Sequence, residues 1–158
     1  MFDTKKAFTM VEMAVVVTMI GILAVLVVPR LASAEEDSRI AAAAEDLQRI
    51  SQAFEYYRSN HGYWPPDTAV GRMPPEMRPV FKNGDPFEKL CPIGGVYDYE
   101  NVRSQKHISI RIRSTMQVQA PQMVDAQALD EYLDDGVLNT GKFRSTSGGG
   151  YTYSFAKR

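Results

Sequence analysis

The chain has 158 residues, of which 44% are hydrophobic, and its formal net charge is -1. A chain of this length suits one domain with an accessory segment, and its near-neutral charge excludes a general electrostatic attraction to nucleic acid or anionic membranes. The single cysteine, Cys91, excludes an internal disulfide framework and is expected to be a buried free thiol.

The N-terminal region contains an apolar segment that is long enough to cross a membrane. Residues 13–28 carry no charge, and the stretch from Phe8 to Val28 would form about 30 Å of helix, which matches the thickness of a bilayer core. Lys5 and Lys6 precede this stretch, and such charges favour retention of the N-terminus in the cytoplasm. The segment therefore predicts membrane insertion with export of the rest of the chain.

One acidic residue, Glu12, lies near the start of this apolar segment. A carboxylate in hydrocarbon costs about 2.5–3.5 kcal/mol on insertion scales, and ionisable groups in membrane segments usually have a function. A simpler alternative is that Glu12 extends towards the lipid headgroups, a behaviour documented mainly for the longer Lys and Arg side chains. Glu12 is therefore a candidate functional residue.

Two cleavage sites compete in this region. Ala32-Ser33-Ala34 matches the small-residue pattern of an ordinary secretory signal, which would release the chain after Ala34. The apolar stretch is slightly longer than in a usual leader of that kind, and helix-forming sequence continues past Ala34. The other site lies between Ala7 and Phe8, on the cytoplasmic side of the apolar segment.

Residues 5–12, with the sequence Lys-Lys-Ala-Phe-Thr-Met-Val-Glu, resemble the processing site of type IV pilins and type II secretion pseudopilins. In that family a short basic leader is followed by a small residue, then by Phe or another apolar residue, with an acid four residues later. Ala7 stands where the family usually has Gly and is its nearest substitute in size. The resemblance implies cleavage between Ala7 and Phe8 by a prepilin peptidase, and methylation of the new Phe8 amino group.

The resemblance also implies that Glu12 and Phe8 act in assembly. In a helical fibre, the Glu12 carboxylate would pair with the Phe8 ammonium group of a neighbouring subunit, and a paired charge is tolerated where an isolated one is costly. We therefore expect Glu12 to find its partner on a neighbour and not within its own chain.

The apolar segment is predicted to continue into a long helix. Pro29 lacks an N–H donor and is expected to kink or loosen this helix, or alternatively to end the membrane span. Gly62 supplies a stop, so we predict one helix from about Phe8 to Asn60. Its second half carries an apolar stripe with spacings of three and four residues: Ile40, Ala43, Leu47, Ile50, Phe54 and Tyr57.

The sequence after the helix predicts a small head domain. Tyr63 and Trp64, in a turn that resembles the exit of pseudopilins from their long helix, are expected to fill its core. Residues 65–95 are rich in proline and glycine and predict irregular loops. Alternation predicts strands over 96–99, 107–113 and 151–155, and helical spacing predicts a short helix over 124–133.

The predicted fold class is α+β and pilin-like. A long N-terminal helix with a membrane-spanning first half packs its second half against a small antiparallel sheet. The predicted organisation is a cytoplasmic leader at 1–7, a transmembrane and assembly segment at 8–31, and a periplasmic or extracellular head at 32–158 that includes the helix to about residue 60.

An acidic cluster late in the chain is the candidate metal site. Asp130, Asp134, Asp135 and Asn139 provide the carboxylate and amide oxygens that calcium prefers, although their spacing is not that of an EF-hand. Major pseudopilins carry calcium on a loop late in the head domain, and the resemblance implies such a site here. The alternative is an acidic helix end that is capped by Gly136 and followed by a turn.

Catalytic motifs are not evident in the sequence. His61 and His107 stand alone, and no further cofactor is indicated, so an enzyme is not expected. Arginine and lysine residues near the second predicted strand are typical of a solvated sheet face, and nucleic acid is not an expected partner.

The sequence predicts a structural subunit of a type IV pilus-like or type II secretion pseudopilus fibre. It would be a single-pass protein of the bacterial inner membrane with its head outside the cytoplasm, and later part of a periplasmic or surface fibre. The expected partners are copies of itself, other pilin-like subunits, the prepilin peptidase, and the inner-membrane assembly platform with its ATPase. The alternatives are a secreted or periplasmic binding module released after Ala34, and a membrane-tethered module that does not polymerise.

Overall fold

The computed structural model describes residues 9–82, 84–102, 105–111, 123–146 and 150–157. Its elements follow the order α1 (Met10–His61), β1 (Val96–Asn101), β2 (Gln105–Arg111), α2 (Met123–Leu133), β3 (Phe143–Ser145) and β4 (Tyr151–Lys157). A 3-10 turn at Pro75–Met77 lies in the loop region between α1 and β1. The chain divides into two compact units, Met1–Asp37 and Ser38–Arg158, and α1 contributes to both.

Helix α1 is continuous over 52 residues. The predicted long helix is confirmed, because the backbone remains α-helical through Pro29. The alternative in which Pro29 ends the membrane span stays a prediction. A kink at Pro29 stays a prediction. The helix ends where expected, because Gly62 has a φ of 80° and its N–H donates to the Arg58 carbonyl oxygen at 2.8 Å.

In the first unit, the side chains of α1 are exposed around the whole helix. Large apolar residues from Met10 to Leu31 are exposed, and this region contains a stretch that is long and apolar enough to cross a membrane. A helix that is apolar on all sides is normally covered by protein or lipid. Exposure of this apolar surface to water would therefore be energetically unfavourable.

In the second unit, α1 packs one face against the sheet. Phe54 stacks on Tyr99 of β1 with the ring centroids 4.0 Å apart. The predicted amphipathic stripe is confirmed, since all of its residues are buried: Ile40, Ala43, Leu47, Ile50, Phe54 and Tyr57. The core of the head therefore lies between this face of α1 and the sheet.

The four strands form one antiparallel sheet in the order β1-β2-β4-β3. Because side chains alternate between the two faces of a strand, the register sorts them into rows. The row that faces α1 consists of Tyr99, Ile108, Tyr153 and Phe143. The adjacent row, on the other face, consists of Asp98, Ser109, Thr152 and Arg144. The predicted α+β, pilin-like fold is confirmed.

The predicted elements of the head correspond to β1, β2, β4 and α2. The last two residues of the predicted second strand, Ile112 and Arg113, lie outside the described residues. Strand β3 is not evident from the sequence, because three residues are too few to show alternation. It forms by pairing with β4, where Phe143 lies opposite Tyr153.

The two aromatic residues after α1 lie in different environments. Trp64 is partly buried against the core and lies edge-on to Phe155, with the ring centroids 5.7 Å apart. Tyr63 is 57% exposed, so the prediction that it fills the core is wrong. Its ring instead lies edge-on to Tyr57 near the end of α1, and its hydroxyl accepts a hydrogen bond from the Tyr57 hydroxyl at 3.2 Å.

Cys91 is buried as a free thiol, as predicted. Burial raises the pKa of the Cys91 thiol to about 11. A thiol in this state is mostly protonated at neutral pH and therefore a poor nucleophile. Its position is consistent with a packing role in the core.

Candidate functional site

The predicted processing site lies at the edge of the described structure. Ala7 and Phe8 fall outside the described residues, whereas Thr9 and Glu12 are described. Cleavage before Phe8 and methylation of its amino group therefore stay predictions. The contacts of this site are therefore described from Thr9 onwards.

Thr9 and Glu12 form a reciprocal set of hydrogen bonds at the start of α1. The Thr9 N–H and the Thr9 hydroxyl both donate to Glu12 Oε2, each at 2.8 Å. In return, the Glu12 N–H donates to Thr9 Oγ1 at 3.3 Å. The Thr9 carbonyl oxygen accepts the first bond of the helix from the Met13 N–H at 3.2 Å. This arrangement is a capping box, which satisfies backbone donors that the first helical turn leaves unpaired.

The Glu12 carboxylate therefore has partners within its own chain. The expectation that its partner lies only on a neighbouring subunit is wrong for the single chain, because Thr9 supplies two donors. The dipole of α1 also favours a negative charge at this end of the helix. The pattern Thr-x-x-Glu before an apolar run is a sequence signature of this cap, so Thr9 could have been identified from the sequence alone.

The second hydroxyl of the apolar segment is also satisfied within α1. Thr18 Oγ1 donates to the Ala14 carbonyl oxygen at 2.7 Å. Hydrogen bonds of this kind suit a lipid environment, where water is not present to pair with polar groups. Thr18 contacts a backbone carbonyl oxygen, whereas Thr9 contacts an acidic side chain.

The predicted metal ligands lie at the end of α2. Asp130, Asp134 and Asp135 each bring a carboxylate oxygen within 4.8 Å of the others. Two oxygens that bind one calcium ion can be at most about 5 Å apart, so this spacing fits calcium. Gly136, with a φ of 74°, turns the chain after α2, as the alternative of a capped helix end also expects. Asn139 is exposed in the following loop, and its role as a ligand stays a prediction.

Asp130 is the unusual member of this cluster. It is fully buried, and neither of its carboxylate oxygens has a hydrogen-bond partner among the described residues. Burial, followed by the negative charges of Asp135 and Asp134, raises the pKa of the Asp130 carboxyl group to about 6. A buried carboxylate without a donor is costly, and a bound cation would remove that cost.

The other two acids hold the loop in place. Asp134 Oδ2 accepts a hydrogen bond from the Lys142 N–H. Asp135 accepts hydrogen bonds from the Val137 N–H at 2.9 Å and from the Thr140 hydroxyl at 2.7 Å. The bond from Thr140, followed by that from Val137, lowers the pKa of the Asp135 carboxyl group. These bonds keep the carboxylates of Asp134 and Asp135 in fixed positions near Asp130.

Two known proteins with sequences similar to this chain have the same name. The chain is 29% identical over 103 residues to type II secretion system core protein G of Pseudomonas aeruginosa, and the match covers 60% of this chain and 72% of that protein. It is 33% identical over 63 residues to type II secretion system core protein G of Escherichia coli K12, with 40% of this chain and 43% of that protein covered. No protein-family model matches the chain. The chain is therefore a homologue of type II secretion system core protein G, a pseudopilin, at about 30% identity.

This homology confirms the resemblance to pseudopilins that the sequence predicts. Pseudopilins are structural proteins and not enzymes, in agreement with the expectation from the sequence. The long apolar N-terminal helix of this chain is consistent with membrane anchoring, and homology to pseudopilins implies partners from a secretion system.

Proposed function

We propose that this chain is a structural subunit of a type II secretion pseudopilus or a type IV pilus-like fibre. It is inserted in the bacterial inner membrane, cleaved between Ala7 and Phe8 by a prepilin peptidase, methylated on Phe8, and polymerised through α1. Residues 1–7 are the leader, 8–31 the transmembrane and assembly segment, and 32–158 the head. The exposed apolar surface of α1 is the observation that carries this proposal.

This surface needs a cover that the described part of the chain does not supply. Val11, Val25 and Leu31 are 72%, 73% and 69% exposed. Burial of apolar area stabilises by about 25 cal/mol per Å², so an apolar helix of this length would not remain in water. Lipid covers the helix of a single subunit, and the helices of neighbouring subunits replace the lipid in a fibre.

Glu12 defines how neighbouring helices align. In the fibre, the Glu12 carboxylate of one subunit pairs with the Phe8 ammonium group of the next. A subunit that is displaced along the fibre would leave both charges unpaired in an apolar environment, which is costly. The ion pair therefore selects one axial position for each subunit.

The proposed partners follow from this assembly. Copies of this chain and other pilin-like subunits supply the neighbouring helices, and the prepilin peptidase frees the Phe8 amino group. The inner-membrane platform and its ATPase would drive the extraction of α1 from the lipid. The head lies outside the cytoplasm throughout, first at the membrane and then in the fibre.

N-terminal sequencing of the protein purified from membranes distinguishes the three possible processed forms of the chain. We expect Phe8 as the first residue. A chain that begins at Glu35 would show release by an ordinary signal peptidase and would contradict the proposal. A chain that begins at Met1 would indicate an uncleaved membrane tether and would also contradict it.

Glu12→Gln tests the ion pair. Glutamine can keep the capping box with Thr9, because this motif accepts Glu or Gln, but it removes the charge. We expect normal cleavage at Phe8 and at least about a tenfold loss of fibres in cells that contain the assembly apparatus, because the neighbour's ammonium group is left unpaired. Glu35→Gln, which changes an exposed acid on the same helix, is the matched control and should assemble normally. Normal fibre formation by Glu12→Gln would refute the proposed pairing.

We also propose a calcium site at the end of α2, formed by Asp130, Asp134, Asp135 and Asn139. The buried and unpartnered carboxylate of Asp130 favours this second function. The spacing of the three carboxylates and the fixed positions of Asp134 and Asp135 support it. The ion would connect α2 to the loop that leads to β3.

Thermal unfolding of the full chain in detergent tests this site. Calcium at about 100 times its Kd should stabilise the head by about 2.7 kcal/mol relative to a chelator, and Asp130→Asn should abolish that effect. Asp37→Asn, which changes an exposed acid on α1, is the control and should keep the response to calcium. An equal melting temperature of the wild type with calcium and with chelator would show that the acids only shape the loop.

A further inference from the structure

The capping box engages one oxygen of the Glu12 carboxylate. Both donors of Thr9 end on Oε2, and none of the hydrogen bonds among the described residues ends on Oε1. An ionised carboxylate has about four lone-pair positions on its two oxygens. The box therefore holds the carboxylate and leaves it able to accept a further donor.

We infer that Thr9 is a positioning residue for assembly. It fixes Glu12 Oε2 at the start of α1 and thereby presents Oε1 to the ammonium group of a neighbouring subunit. This inference rests on the proposed fibre function, since it assigns the residue that orients the acid of the proposed ion pair.

The bonds of Thr9 restrict the Glu12 side chain from two sides. The N–H and the hydroxyl of Thr9 hold the carboxylate, while Thr9 Oγ1 accepts the Glu12 N–H and so ties the same hydroxyl to the helix backbone. A glutamate side chain otherwise has many rotamers, and ordering them on association reduces affinity. Because the box orders the side chain beforehand, less entropy is lost when a neighbour binds.

The same bonds change the energetics of the single subunit. A membrane-inserted subunit does not carry an isolated acid, because Thr9 partners the carboxylate in its own chain. Assembly then adds the ammonium group to an acid that is already held in place. The ion pair therefore contributes to the alignment of subunits, and the box determines where the acid lies when they meet.

Three threonine variants isolate this role. Thr9→Val keeps the shape of the side chain and removes the hydroxyl, whereas Thr9→Ser keeps the hydroxyl. Thr18→Val is the matched control, because it removes a hydroxyl from the same helix that bonds to the Ala14 carbonyl oxygen and not to an acid. All three leave the charge of Glu12 unchanged.

We expect about a fivefold loss of fibres in Thr9→Val, which corresponds to the loss of a typical helix cap. Thr9→Ser should assemble like the wild type, and Thr18→Val should remain within about twofold of it. Fibre yield is measured in cells that contain the assembly apparatus, with N-terminal sequencing of each variant to verify cleavage at Phe8. Equal yields for Thr9→Val and Thr18→Val would overturn the inference.

Amide hydrogen exchange of the full chain in micelles provides a test that does not need cleavage or assembly. The Glu12 N–H donates to Thr9 Oγ1, so its exchange should be faster in Thr9→Val than in the wild type, in Thr9→Ser or in Thr18→Val. Unchanged exchange at Glu12 in Thr9→Val would overturn the inference even if that variant is not processed.

The outcomes for Glu12 and Thr9 separate the inference from the proposed function. Normal fibres with Glu12→Gln would refute the ion pair and, with it, the need for positioning. Impaired fibres with Glu12→Gln, together with normal fibres in Thr9→Val, would refute only the role of Thr9. Impairment of both, with retention by Thr9→Ser, is the expected result.

Discussion

The two halves of α1 expose and bury apolar side chains in opposite ways. Described residues of the first half, up to Glu35, are exposed on every side of the helix, whereas the second half buries one apolar stripe against the sheet. A helix with a single apolar face can be covered by its own chain, but a helix that is apolar all round needs lipid or other helices. One continuous element thus depends on two different environments.

This difference separates the properties that each half controls. The second half contributes to the free energy of unfolding of the head, because its stripe forms part of the core. The apolar side chains of the first half are exposed, so its substitutions should affect membrane insertion and assembly instead. Variants that are matched in chemistry but placed in different halves can test this separation.

The largest expected effect comes from one leucine in each half. Leu47 is fully buried in the core, whereas Leu23 is 61% exposed. Leu47→Ala should reduce the free energy of unfolding of the head by about 2–5 kcal/mol, because it removes buried methyl groups and leaves a cavity. Leu23→Ala should change it by less than about 0.5 kcal/mol. Denaturant unfolding of the full chain in mild detergent, followed by tryptophan fluorescence of Trp64, measures both.

A comparable loss of stability in the two variants would contradict the separation of the halves. It would mean that the first half of α1 contributes to the folding of the head. Leu47→Met, which roughly conserves volume, should cost less than about 1.5 kcal/mol and so verifies that the large effect comes from the cavity.

The sequence was sufficient to predict features that repeat along the chain. The apolar stripe from Ile40 to Tyr57 has a helical period over several turns, and such patterns survive in the fold because packing requires them. The alternation in β1 and β2 predicted strands for the same reason. The apolar segment before Pro29 predicted a helix long enough to cross a membrane, which α1 contains.

Features that depend on three-dimensional contacts were not predicted. Strand β3 exists because Phe143 pairs with Tyr153, and three residues give no period of their own. Tyr63 is exposed because the chain turns at Gly62 and leaves its ring at the surface, which an aromatic residue in a turn does not reveal. The acidic loop was predicted as a cluster, but the burial of Asp130 depends on how α2 packs in the head.

The capping box was also not predicted, although it does not depend on contacts that are distant in sequence. Its pattern, Thr9 with Glu12 three residues later, is local and readable in the sequence. Because Glu12 lies inside an apolar segment, its position suggested an intermolecular partner, and its intramolecular partner Thr9 was not predicted. The two roles are compatible, since the box uses Oε2 of the carboxylate.

A smaller effect is expected from two glycines, one in the first half of α1 and one directly after its second half. Gly62 has a φ of 80° and Gly21 lies within α1, and a Cβ at either position would meet no atom within 4 Å. Gly62→Ala should therefore cost about 1 kcal/mol through backbone strain alone, measured as unfolding of the head. Gly21→Ala should leave the head unchanged, because alanine favours the helix and the site is far in sequence from the core. Equal stability of Gly62→Ala and the wild type would show that the turn after α1 can rearrange.

The smallest expected effect concerns the face of the sheet that carries the buried acid Asp98. Asp98 is 2% exposed, and Arg111 lies 3.5 Å from its carboxylate. Burial raises the pKa of the Asp98 carboxyl group from its ordinary value of 3.8 to about 6, although the charge of Arg111 acts in the opposite direction. Between these two values the folded state binds more protons than the unfolded state, so the free energy of unfolding should fall as the pH rises through that range.

Asp98→Asn should reduce this dependence, because asparagine does not titrate, while Asp130, whose pKa is also raised to about 6, continues to contribute. Compared with the variant, the wild type should lose on the order of 1 kcal/mol of stability between about pH 4 and pH 6 and then remain level, as measured by denaturant unfolding at several pH values. Glu100→Gln is the matched control, since Glu100 bonds to the same Arg111 nitrogen at 2.8 Å but is more exposed. If Asp98→Asn kept the pH dependence of the wild type, another group would be responsible. If the dependence decreased in Asp98→Asn but not in Glu100→Gln, the head would be shown to hold an unfavourable buried acid, whereas the acid in the first half of α1 is stabilised by Thr9.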